Sequence, residues 1–159
     1  MSETRQKIRK VIAPIAFLVA LAVLASAFYA HPASELTMIG ITGTNGKTTC
    51  KELIRSVLSA GYRVCSTRGN FNNLYGVPLS IFEFDQQCEV GVLEFGMSTA
   101  GEIARLVEIV APEVRIILNI GPAHLEFLGS LENVMLAKGE LLEKIKQAKK
   151  KMEEDKKVK

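Results

Sequence analysis

The residues with the clearest chemical meaning lie between Met38 and Thr49, in the run MIGITGTNGKTT. A short apolar stretch leads into a turn of Gly, Thr and Asn, and that turn ends in Gly46-Lys47-Thr48-Thr49. This is the order of a strand, a phosphate-binding loop and a helix. Gly43 and Gly46 let the backbone curl so that successive N–H groups point at one anion. A helix starting near Lys47 adds the positive end of its dipole. Lys47 can place a charge between the β- and γ-phosphates, and the Thr48 hydroxyl can ligate Mg²⁺. Gly43 stands two residues closer to Gly46-Lys47 than the common G-x-x-x-x-G-K-[ST] pattern requires. A capped helix after an ordinary Gly/Asn turn would explain the glycines but not the Lys and hydroxyls in this order.

The elements that must position these residues alternate between strand and helix patterns. A first strand is expected over Leu36 to Ile41. The helix after the loop carries Leu53, Ile54, Val57 and Leu58 as an expected apolar face, and Gly61 stops it. Arg63 to Thr67 reads as a second strand, followed by the Asn/Gly loop of residues 69–73. Val77 to Phe84 reads as a short helix, with a strand as the alternative. Glu89 to Phe95 reads as a buried third strand. A helix over Ala100 to Val110 turns Ile103, Leu106, Val107 and Val110 inward and breaks at Pro112. Val114 to Ile120 reads as a buried fourth strand, and Ser130 is an N-cap for a last helix from about Leu131. The fold class is therefore α/β, with a parallel sheet and right-handed crossovers. Ligands of such sheets sit at the carboxyl ends of the strands. The phosphate loop, the Asn loop, Glu94 and His124 all follow strand ends.

The chain of 159 residues suits one domain. Its net charge of +3 and the lack of a basic patch interleaved with aromatics argue against nucleic acid as a partner. Three scattered cysteines form neither a disulfide framework nor a zinc site. Residues 1–10 are basic, and residues 11–31 are expected to form a hydrophobic membrane helix. The charge-free run Val11 to Ala30, about 20 residues at ~1.5 Å each, matches a hydrocarbon core of ~30 Å. A signal peptide cleaved near Ala25-Ser26-Ala27 and a buried helix are the alternatives. The basic residues before this run would put the phosphate loop outside the cell, where ATP is scarce. Giving the loop precedence predicts a bacterial, membrane-attached protein whose ATP-binding domain faces the cytoplasm. Residues 32–35 read as a linker, residues 36–143 as the ATP-binding domain, and residues 144–159 as a charged tail.

Five blocks, GITGTNGKTT, GNFNNLYGVP, LEFG, NIGPAHL and AKGEL, stand in order from Gly40 to Leu141. Together they resemble the central ATPase domain of the Mur ligases, and the Asn-rich block and Ala-Lys-Gly-Glu are closest to the MurF type. The resemblance covers about Leu36 to Leu142. It implies a P-loop NTPase-like fold and an ATP-dependent carboxylate–amine ligase of peptidoglycan precursor synthesis, acting through an acyl phosphate. It implies ATP and Mg²⁺ as cofactors and a UDP-MurNAc-peptide-like substrate. Gly43, Thr44, Asn45, Gly46, Lys47, Thr48 and Thr49 would bind the nucleotide. Thr48, Glu94, His124 and Lys138 would hold metal, with Lys138 as the family lysine that becomes a carbamate, and Asn72 and Asn73 would face the substrate. Lys47, His124 and Lys138 would be catalytic. The family's UDP-sugar, later central and amine-binding portions have no counterpart in this sequence, so a second chain supplying them is an expected partner. The alternative is a MgATP-binding regulatory module or a truncated remnant.

Overall fold

The first strand carries apolar residues on both faces, Met38 on one and Ile39 and Ile41 on the other, so each face needs its own cover. The computed structural model describes residues 36–143. In it β1 (Thr37–Thr42) lies inside a four-stranded sheet with β2 (Val64–Ser66), β3 (Val90–Glu94) and β4 (Val114–Ile117), ordered β2–β3–β1–β4. All three pairings are parallel. Ile41 stands opposite Glu94 on one side and Ile116 on the other, so three carboxyl ends meet at one edge. The helices are α1 (Lys47–Leu58), α2 (Gly76–Phe82), α3 (Glu102–Val110), the single turn α4 (Leu125–Leu128) and α5 over residues 131–143.

One core joins Ile39, Ile41, Val90 and Val92 to Cys50, Ile54 and Leu58 of α1. The other joins Met38, Leu93 and Phe95 to Ile81 of α2, Leu106 of α3 and Leu141 of α5. Two strand glycines give this second layer its room. A Cβ on Gly91 would stand 2.5 Å from Met38 Sδ, and one on Gly40 would stand 3.1 Å from the Phe95 ring.

The helical pattern of Ile103, Leu106, Val107 and Val110 is buried as expected. Ser130 caps α5, its Oγ accepting from Asn133 N at 3.1 Å. The stretch expected at residues 77–84 is helical as α2, which begins at Gly76 and ends at Phe82. Three expectations are corrected. Leu53 and Val57 are 62% and 72% exposed, because the sheet takes the neighbouring stripe of Cys50, Lys51, Ile54 and Leu58. Strand four ends at Ile117 and is only half buried, since it pairs with β1 alone and forms the sheet's edge. The membrane-attached protein facing the cytoplasm is also withdrawn: among the described residues no helix is long and apolar enough to cross a membrane. The hydrophobic stretch 11–31 on which it rested lies outside the described residues, as do segments 1–10 and 32–35 and the tail 144–159.

Candidate functional site

The phosphate loop leaves the buried end of β1. Thr42 Oγ1 donates to Phe95 O at 2.8 Å and fixes this end against the chain leaving β3. Gly43 passes so close to the chain leaving β4 that a Cβ there would lie 3.1 Å from Leu118 Cβ. Gly46 takes φ 81° and starts α1 with no side-chain cap. The first-turn N–H groups of Lys47, Thr48 and Thr49 have no acceptor within the helix, so they are available to an anion. Lys47 Nζ folds over the loop and donates to Gly43 O at 2.8 Å and Thr44 O at 3.1 Å. One expectation changes here. The amides of Thr44 and Asn45 both donate to Asn119 Oδ1 at 3.1 Å, so the loop tip is not an open row of donors.

Glu94 ends β3 and is buried. Its Oε2 accepts from Thr48 Oγ1 at 2.9 Å, and its Oε1 accepts from Asn72 Nδ2 at 2.9 Å. Asn72 is fixed in turn, because its carbonyl accepts from Gly96 N at 2.6 Å. A Cβ on Gly96 would press within 2.8 Å of Asn72 Oδ1, so the glycine admits the amide. Asn73 is spent on the backbone: its Oδ1 accepts from Tyr75 N and Gly76 N and caps the start of α2.

The Thr48–Glu94 pair fits a hard divalent cation. Adjacent oxygens of an octahedron with ~2.1 Å Mg–O bonds stand about 3 Å apart, close to the 2.9 Å observed. Among the described residues no group of three or more His, Cys, Asp or Glu side chains gathers as a metal cage. Two protein oxygens with phosphate and water is the set Mg²⁺ ordinarily accepts.

Beside the loop lies a cavity of about 260 Å³. Of the expected residues, Gly43, Thr44, Lys47, Asn72, Asn73, His124 and Lys138 line it. Asn45, Gly46, Thr48, Thr49 and Glu94 do not, and Glu94 reaches it through Asn72. His124 takes the left-handed conformation, φ 53°, at the start of α4, and its carbonyl accepts from the Phe127 and Leu128 amides. Lys138, on α5, is 3% exposed and has no hydrogen-bond or ion-pair partner among the described residues. Burial first, and the charge of Lys47 second, lower its pKa from 10.5 to about 8.

Three further residues support the site. Lys51, 1% exposed, donates to Thr67 O at 2.6 Å, while Thr67 Oγ1 accepts from Glu94 N at 3.4 Å. Glu140 reaches from α5 to the start of α3, accepting from Gly101 N at 2.7 Å and Ala104 N at 3.0 Å. Asn119 holds the loop tip. Lys51 was detectable in principle, since it shares a stripe with Lys47, Ile54 and Leu58. Asn119 and Glu140 stand in the quoted sequence blocks, but their partners are distant in sequence.

The Mur ligase middle domain family matches residues 41–157. The UDP-N-acetylmuramoyl-tripeptide–D-alanyl-D-alanine ligase of Bacillus subtilis (strain 168) is 43% identical over 130 residues, which are 82% of this chain and 28% of that protein. A crystal structure of MurF from Acinetobacter baumannii superimposes with a TM-score of 0.75 at 38% identity, covering 79% of this chain and 28% of that one. MurF ligase from Thermotoga maritima in complex with ADP gives 0.74 at 41% identity, covering 79% and 29%. The chain thus spans little more than a quarter of the length of the relatives it matches.

Proposed function

The chain belongs to the Mur ligase family by its middle domain, and from that membership we propose that it is the ATP-handling module of a MurF-like carboxylate–amine ligase in peptidoglycan precursor synthesis. The observation that carries this reading is the meeting of Lys47, His124 and Lys138 around one cavity beside the Thr48–Glu94 oxygen pair. In the proposed reaction a carboxylate oxygen of a UDP-MurNAc-peptide bonds to the γ-phosphorus of ATP as the bond to the β-phosphate oxygen breaks, and ADP leaves. An amine then attacks the acyl carbon of the acyl phosphate and releases phosphate.

Phosphoryl transfer of this kind needs positioning and charge stabilisation. The first-turn amides of α1 receive phosphate oxygens. Lys47 exchanges its two carbonyl acceptors for the β/γ-phosphates. Thr48 and Glu94 are the residues that would hold Mg²⁺, whose charge offsets that of the phosphates. Asn72 keeps Glu94 oriented, and Asn72 and Asn73 border the substrate side of the cavity. His124 stands on the opposite loop, at the acceptor end.

Lys138 is suited to react with CO₂. With its pKa at about 8, about one side chain in ten is neutral at pH 7. The neutral amine adds to CO₂ and releases a proton, leaving a carbamate anion. The change replaces an ammonium that repels Lys47 and any cation with two acceptor oxygens.

Calorimetric titration of MgATP into the full chain, with Lys47→Ala alongside, tests the binding. The wild type is expected to bind and the variant to lose binding. A folded wild type that takes no MgATP overturns the reading. Phosphate release that requires both UDP-MurNAc-tripeptide and D-alanyl-D-alanine would establish the ligase step, whereas binding without such turnover would reduce the chain to a nucleotide-binding module.

A further inference from the structure

Asn119 follows β4 and turns its polar groups to the tip of the phosphate loop. Its Oδ1 accepts from Thr44 N and Asn45 N, both at 3.1 Å, and its Nδ2 donates to Asn45 O at 3.0 Å. Its carbonyl also accepts from Thr44 N at 3.2 Å. Two residues on, Gly121 N donates to Thr44 Oγ1 at 2.9 Å, and that hydroxyl donates to Gly121 O at 3.1 Å.

Asn119 is exposed. Water could satisfy its side chain equally well, so burial does not dictate these bonds. Their effect is geometric. One amide side chain satisfies both the N–H and the C=O of Asn45, which fixes how the loop tip is turned. With the Thr44 and Asn45 amides facing Asn119, the carbonyls of Gly43 and Thr44 face Lys47 Nζ. A flipped tip would remove the acceptors that place the lysine and present carbonyl oxygens elsewhere. The same side chain joins the loop to the segment that leads, five residues later, to His124.

We infer that Asn119 is a positioning residue for nucleotide phosphate. It withdraws the Thr44 and Asn45 amides from the ligand, leaves the cradle to Lys47 and the first turn of α1, and couples the phosphate loop to the His124 segment. The inference rests on the reading that this cavity takes MgATP.

The test uses the full chain with Asn119→Ala and Asn119→Asp, and reads amide hydrogen exchange at Thr44 and Asn45, MgATP affinity and the thermal midpoint. Asn119→Ala is expected to speed exchange at Asn45, whose amide loses its acceptor, while Thr44 N keeps the Asn119 main-chain carbonyl, and to weaken MgATP about tenfold or more with little change in midpoint. Asn119→Asp keeps the acceptor oxygens but brings a negative charge to the loop. Its two amides should stay protected while MgATP binding falls, and added salt should recover part of that loss. A residue that only braced the surface would not separate exchange from affinity in this way. Unchanged exchange at Asn45 in Asn119→Ala, or MgATP affinity within twofold of wild type, overturns the inference. A wild type that binds no MgATP overturns the functional reading and, with it, this inference, whereas wild-type binding that Asn119→Ala leaves unchanged overturns this inference alone.

Discussion

Two lysines are buried in this domain, and their surroundings differ in kind. Lys51 lies between α1 and the chain leaving β2, 1% exposed, with Thr67 O at 2.6 Å and Glu52 Oε1 at 3.3 Å. Lys138 lies in the cavity wall, 3% exposed, with no partner among the described residues and the positive charge of Lys47 nearby. The first ammonium has acceptors and serves as a structural strut. The second is penalised by desolvation and repulsion, which makes a neutral amine accessible near physiological pH. Burial alone therefore says little about a lysine's role. The acceptors around its nitrogen decide whether it braces the fold or is available for chemistry.

The largest expected effect is on the strut. Lys51→Ala removes a long buried stem and leaves the Thr67 carbonyl without its donor, at a cost of about 4 kcal/mol in urea denaturation. A loss below about 1 kcal/mol would break the comparison, because Lys51 would then be as dispensable to the fold as Lys138.

Lys138→Met should act in the opposite direction. The folded pKa, about 8, lies below the ordinary 10.5, so the folded state disfavours the protonated lysine. The penalty is complete below pH 8. Between pH 8 and 10.5 the unfolded chain holds more protons than the folded one, so wild-type stability rises with pH. In CO₂-free buffer Lys138→Met should be more stable than wild type by up to roughly 3 kcal/mol at pH 7. That advantage should vanish by pH 10.5. A pH-independent difference would mean that Lys138 has an acceptor after all.

The smallest effect sharpens the cause. Glu140 pins α5, which carries Lys138, to the start of α3. Glu140→Ala should cost about 1 kcal/mol as a lost charged cap. By loosening α5 it should also let the Lys138 pKa climb back toward its ordinary value in an NMR titration. If the pKa stays at about 8, the packing of Val134, Ala137 and Leu141 holds the lysine by itself.

The strand–loop–helix order around Gly43 to Thr49 was legible because its signals are local: an apolar run, glycines and helix-compatible residues follow one another, and backbone geometry does the rest. The inward face of α3 was legible because one helical period accounts for all four of its buried residues. α1 was misread because its apolar residues span two stripes, and only the sheet beneath chooses between them. It chose Lys51 over Leu53, since a lysine with a carbonyl to reach can be buried. The reach of strand four was overestimated because an apolar run carries no sign of whether a second neighbour pairs with it. The availability of the Thr44 and Asn45 amides was overestimated because their partner lies 74 to 75 residues away.

The α/β alternation and the loop-to-helix turn at Gly43 to Lys47 follow from the residues themselves, because short-range periodicity and backbone preference dictate them. The packing of distant segments sets which lysine is a strut and which faces a cavity with no acceptor among the described residues. It also sets which loop amides are committed to Asn119 and which carboxylate caps which helix. Each of those outcomes depends on groups far apart in the chain, and on how much water remains between them once the sheet is covered.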